Sequence, residues 1–109
     1  MKNGKIYLIL TIIILIIIAI GLYLLLGGNP IKKMQAEADI RNYLLQVKNY
    51  KEEDIYSISG TYSLKSNKCP YGANVTFTDE QEEFYYYSIC TDNAIIQTGY
   101  SSSTPKHLE

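Results

Sequence analysis

From Ile6 to Leu26 the chain carries no charged side chain, and Thr11 is its one clearly polar position. Beyond Pro30 apolar residues return at helical spacing, and beyond Ile55 they alternate with polar ones. The three patterns predict an apolar helix, an amphipathic helix and a set of strands, in that order. As a helix the first run spans about 32 Å, against about 30 Å for the hydrocarbon core of a bilayer. Nine isoleucines among its residues leave it no polar face, which a buried soluble helix would have. The expectation is a transmembrane helix over 6–26, preceded by a short cytoplasmic tail over 1–5 and followed by a linker over 27–30. A cleaved signal sequence would have a shorter apolar stretch, about 7–15 residues, with a small-x-small site beyond it. Ala19 and Gly21 have that spacing only inside the run.

The linker Gly27-Gly28-Asn29-Pro30 breaks the first helix, and Pro30 is suited to open the second. Met34, Ile40, Tyr43, Leu44, Val47 and Tyr50 then mark an apolar stripe running to about Lys48. Four strands follow: Ile55 to Leu64, Ala73 to Thr78, Phe84 to Cys90, and Ala94 to about Tyr100. Ser66 to Gly72 reads as a loop, Asp79 to Glu82 as a polar turn and Asp92-Asn93 as a tight hairpin turn. The fold class expected is α+β, one amphipathic helix packed on a four-stranded, mainly antiparallel sheet over 31–100. Residues 101–109 read as a disordered tail.

A two-residue turn that sets Asp79 opposite Glu82 puts Phe77 across from Phe84 and Val75 across from Tyr86. Cys69 and Cys90 then share a face with them, and Ile95 joins if Thr91 pairs with Ala94. That face should meet the helix, and Tyr85, Tyr87, Ile89, Ile96 and Tyr100 should look outward.

Charge narrows the partners. Residues 29–109 hold eight basic and eleven acidic side chains, a formal charge of −3. Nucleic acid needs a basic stripe and is not expected as a partner, nor is tight adhesion to anionic lipid heads beyond the anchor. Basic residues flank the apolar run almost evenly, with Lys2 and Lys5 on one side and Lys32 and Lys33 on the other. The short tail is expected inside and the larger domain outside, because sizeable domains translocate largely regardless of charge. Cys69 and Cys90, the only two cysteines, are too few for a zinc site and too far apart for a C-x-x-C redox motif. They read either as a disulfide in an oxidising compartment or as two separate thiols.

Candidate chemistry is sparse. Asp79, Glu80, Glu82 and Glu83 are carboxylates suited to a hard cation, but they lack EF-hand spacing and its glycine, so a solvated turn explains them as well. Alternation in Phe84-Tyr85-Tyr86-Tyr87 exposes Tyr85 and Tyr87, with Tyr100 nearby, as a ring platform for partner contact. Tyrosine's suitability for pleated surfaces is the plainer account. Asn74-Val75-Thr76 matches a glycosylation acceptor, which matters only in a eukaryotic secretory route. The sole histidine, His107, lies in the tail. No catalytic triad, metal set or phosphate-binding loop is present in the sequence, so no enzyme activity, cofactor or metal is expected.

An Ile-rich anchor leading into a helix, then Tyr50-Lys51-Glu52-Glu53-Asp54-Ile55, Phe84-Tyr85-Tyr86-Tyr87 and Ile95-Ile96-Gln97, resembles the small Gram-positive bacterial membrane proteins of domain of unknown function 3139. The likeness covers about residues 1–100. Asp92-Asn93-Ala94 replaces the family's usual Asp-Gly-Lys-type last turn, and the cysteine pair is not a family trait. The resemblance implies topology and a plasma-membrane location, and no catalytic residues. A helix followed by antiparallel strands is also remotely similar to PepSY-like domains. The function expected is an extracytoplasmic binding or regulatory module for another envelope or membrane protein, with a PepSY-type inhibitor of an extracytoplasmic peptidase as the alternative.

Overall fold

The computed structural model describes residues 2–109. The apolar run lies within a single helix, α1, at Lys2–Gly27. Its large side chains from Ile6 to Leu26 stay exposed, and none of its most apolar window is buried against the rest of the chain. This helix is long and apolar enough to cross a membrane. Gly28 ends it with a φ of +76°, and a Cβ there would lie 2.5 Å from Tyr62 Cγ. Both demands select glycine. Asn29 then caps helix α2, Pro30–Gln46, its side chain accepting from Ile31 N–H at 2.9 Å. Asn49, at φ 61°, stops α2, and the Tyr50 N–H satisfies the Leu44 carbonyl at 3.0 Å.

Four antiparallel strands follow in sheet order β1-β2-β3-β4: β1 Ile55–Tyr62, β2 Tyr71–Phe77, β3 Tyr85–Ile89 and β4 Ile95–Tyr100. Short 3-10 turns at Glu52–Asp54 and Thr78–Glu80 sit together at one end. The fold is the α+β arrangement of helix on sheet that the alternation predicts. Helix α2 packs mainly over β1 and β2 and buries Ala36, Ile40 and Leu44. The stripe is rotated from the expected one, and Met34 and Val47 face solvent. Small residues at the contact explain the rotation. A Cβ on Gly60 would lie 2.5 Å from the Lys33 carbonyl oxygen, so the α2 backbone rests on β1, and Glu37 accepts from Gly60 N–H at 2.8 Å.

The β2–β3 register differs by one residue from the expected one, and so does β3–β4 near its turn, where Ile89 pairs with Ile95. Past a bulge between Tyr86 and Tyr87 the expected β3–β4 register returns, with Tyr85 opposite Tyr100. Val75 pairs with Tyr85, Ala73 with Tyr87 and Tyr71 with Ile89. The β2–β3 connection is not a two-residue turn: it holds the 3-10 turn and extends to Phe84, whose carbonyl accepts from Ser101 N–H. The β3–β4 loop has three residues, Thr91 to Asn93. Cys90 N–H reaches the Ala94 carbonyl at 2.9 Å, and Asn93 takes a φ of 66°. With a side-chain period of two, a one-residue shift reverses the faces of β3. Tyr85 and Tyr87 therefore join Ala73, Val75 and Phe77 in the core, and Phe84 and Tyr86 turn outward.

The segment 101–109, expected as a disordered tail, makes defined contacts instead. It folds back over the part of the inner sheet face that α2 leaves uncovered. His107 stacks on Phe77 with ring centroids 3.9 Å apart, and Ser102 is buried.

Candidate functional site

The ring platform expected at Tyr85, Tyr87 and Tyr100 does not form. Tyr85 and Tyr87 are fully buried, and only Tyr100, 48 % exposed, reaches solvent. A buried phenol needs a polar partner, and the Thr78–Glu80 turn, β4 and the folded-back segment together supply the partners. The Tyr85 hydroxyl donates to Glu80 at 2.6 Å and accepts from Lys106 and His107 N–H. Gln97 donates to the Tyr87 hydroxyl at 3.1 Å and to the His107 carbonyl at 2.8 Å. Burial first, and Glu109 second, push the Tyr87 phenol far above its ordinary range.

Around His107 the sheet gathers residues distant in sequence. Its Nε2 meets Asp79 at 2.8 Å and its Nδ1 meets the Tyr50 hydroxyl at 2.9 Å. The His107 hydrogen bond holds the Asp79 carboxyl below its usual range. Asp79, Glu80 and His107 bring ligand-type atoms within 4.8 Å of one another. Each already has an internal partner, so the cluster acts as a clasp on the C-terminal segment. Glu83 serves the same end of the fold by accepting from the Ser101 hydroxyl, and Glu82 stays exposed.

A groove that sequence reasoning missed lies between α2 and the β3–β4 hairpin. One part, about 460 Å³, is lined by Asp39, Asn42, Tyr43, Val47, Ile89 and Ile95, among others. A second, about 300 Å³, continues it toward Lys32 and Tyr71, sharing Asp39, Ile89 and Asn93. The groove exists because α2 sits over β1 and β2 and only grazes β3. Tyr43, in its wall, donates its hydroxyl to Glu109 at 2.6 Å, and Glu109 pairs with Lys48 at 3.2 Å. Burial, then the Glu109 hydrogen bond, push the Tyr43 phenol up to about 12. The signal available in the sequence was Tyr43 and Val47 together on one side of the helix.

Cys69 and Cys90 lie at disulfide distance and tie the β1–β2 loop to the end of β3. Asn74, the glycosylation-pattern residue, lies mid-strand in β2, paired on both sides, with its Oδ1 buried and lacking a partner.

The structure shows an exposed apolar helix and a second helix laid on four antiparallel strands. Residues 2–87 match the family described as protein of unknown function (DUF3139). The chain belongs to this family. The match takes in α1, α2, β1, β2 and most of β3, and stops short of β4 and the clasped segment. Comparison with curated proteins and with solved structures gives no match.

Proposed function

We propose that this DUF3139 member is a single-pass protein of the bacterial plasma membrane, with residues 1–5 inside and its head outside. The head serves as a non-catalytic binding or regulatory module for another membrane or envelope protein. The observation that carries the reading is the wholly uncovered apolar surface of α1. At roughly 25 cal/mol per Å², that surface is unfavourable in water and stable only in lipid or against another protein. The cysteine pair at disulfide distance supports an oxidising space for the head. The groove supports the partner's class. It runs along α2 from Lys32, close to the α1 junction, to Val47, which suits a segment of a neighbour rising from the same bilayer. Tethering both in one membrane raises their effective concentration. A non-catalytic role is supported by His107, whose two nitrogens are both engaged within the fold. The order of helix and strands is all that favours a PepSY-type inhibitor.

Two experiments test the reading. A membrane-impermeant maleimide applied to intact cells should label Cys69 and Cys90 only after reduction. Labelling without reductant, or only after lysis, contradicts the bridge or the orientation. A photo-crosslinking residue at Asn42, in the groove, should give a discrete membrane-protein adduct that one at Ser59, on the opposite sheet face, does not. Equal adducts from both positions would remove the groove from the proposal.

A further inference from the structure

The head's charges are segregated along its length. Chain direction brings three features to the α1 end of the head: the start of α2, the β1–β2 loop and the β3–β4 turn. There Lys32, Lys33, Lys65 and Lys68 stand with Asp92, while Glu37, further along α2, is held by Gly60 N–H and Asp39 shares the groove with Lys32. The opposite end holds the acidic 52–54 and 79–83 segments. A net charge of −3 conceals a basic end next to α1 and an acidic end away from it.

The junction fixes that basic end against the apolar helix. Gly28 lies under the Tyr62 ring, the Tyr71 hydroxyl accepts from Asn29 N–H at 2.9 Å, and the two rings pair at 4.9 Å. The molecule is 67 Å long and at most 29 Å across, so α1 and the head lie end to end. Residues 63–70 leave Tyr62 and return at Tyr71, the two residues that meet the α1–α2 junction. The loop is preformed: Ser63 N–H reaches the Pro70 carbonyl, Thr91 N–H reaches the Lys68 carbonyl, and Cys69 meets Cys90. On it Leu64 stands 52 % exposed, beside the exposed Lys65. Tyrosine rings, lysines and a solvent-facing leucine are what an interface with lipid headgroups selects.

We propose that the β1–β2 loop and the start of α2 form a docking face for anionic lipid headgroups of the membrane that α1 spans. Leu64 enters the interface, and Lys65, Lys68, Lys32 and Lys33 meet headgroup charge. Docking holds the head upright, with the acidic end away from the bilayer and the groove running up from it. This rests on the reading of α1 as a membrane anchor.

The test uses the full chain in nanodiscs of phosphatidylcholine, with and without about 30 % phosphatidylglycerol, read by hydrogen exchange. Amides of residues 63–69 should exchange more slowly in the anionic discs alone; 1 M salt, about 3 Å in screening length, should reverse this, and residues 78–84 should not respond. The K65Q/K68Q variant, altered only on an exposed loop, should lower the docked-to-undocked ratio about 30-fold. Equal exchange in both discs, or protection unchanged in K65Q/K68Q, overturns the docking face. Failure of the chain to enter either disc would instead overturn the anchor.

Discussion

Helices α1 and α2 follow one another across two residues, yet they deal with apolar surface in opposite ways. Helix α1 is apolar on every side and buries none of its large side chains within the chain. Helix α2 has a polar face and fully covers only Ala36, Ile40 and Leu44. The richer helix contributes nothing to the core of the head, and the poorer one organises it. Apolar content therefore says that a surface will be covered, and its distribution around the helix says whether the same chain can do the covering.

Matched truncations test this most directly. Ile40→Ala should destabilise the head by about 2–5 kcal/mol, because it opens a cavity in the buried cluster that also holds Val75 and Phe77. Ile16→Ala, the same change on α1, should leave unfolding of the head in detergent within about 0.5 kcal/mol of the parent. A comparable loss from both would mean that the helices share one core.

The junction between them gives the next largest effect. Gly28→Ala forces a left-handed alanine into the Tyr62 ring and should cost about 2–4 kcal/mol in thermal unfolding. Alanine at Gly21, where a Cβ meets nothing within 4 Å, is the neutral control within α1.

Alkaline titration probes the face of α2 that meets the groove and the clasp. Tyr43's pKa is raised from 10.0 to about 12 in the folded state, and those of Tyr50, Tyr85 and Tyr87 are raised as well. A raised folded pKa gives stability that is fully present below the unfolded value and lost as pH rises through the folded one. Stability of the head should therefore fall from about pH 10 upward, and ultraviolet phenolate absorbance should lag behind that of the unfolded chain. Coincident titration curves would mean that these phenols are not enclosed.

The smallest effect belongs to the outer side of α2. Arg41 pairs with Glu52 at 2.7 Å, with both side chains substantially exposed. Arg41→Ala should shift stability by less than about 1 kcal/mol, and added salt should shrink the difference further.

Much of the architecture was legible in the sequence. The uninterrupted apolar run located α1, the change from helical spacing to alternation separated α2 from the strands, and Pro30 and the turn residues set most boundaries within a few positions. The faces of β3 were not legible. They depended on a loop from Thr78 to Phe84 and a bulged turn at Asn93, each different from the two-residue turn that the local residues favour. One residue of turn length sent Tyr85 and Tyr87 inward and Tyr86 outward. The clasp was hidden for a different reason. His107 finds Phe77, Tyr50 and Asp79 only after the sheet has assembled, and no spacing within 101–109 records those contacts.

By itself, then, the sequence determined which stretch must find an apolar environment and which elements the rest would form, because those properties depend on neighbours a few residues away. The tertiary structure alone decided which tyrosines are buried, where the groove opens and what the C-terminal segment does. Those depend on register and on contacts between residues tens of positions apart, and in a sheet a one-residue shift exchanges inside for outside.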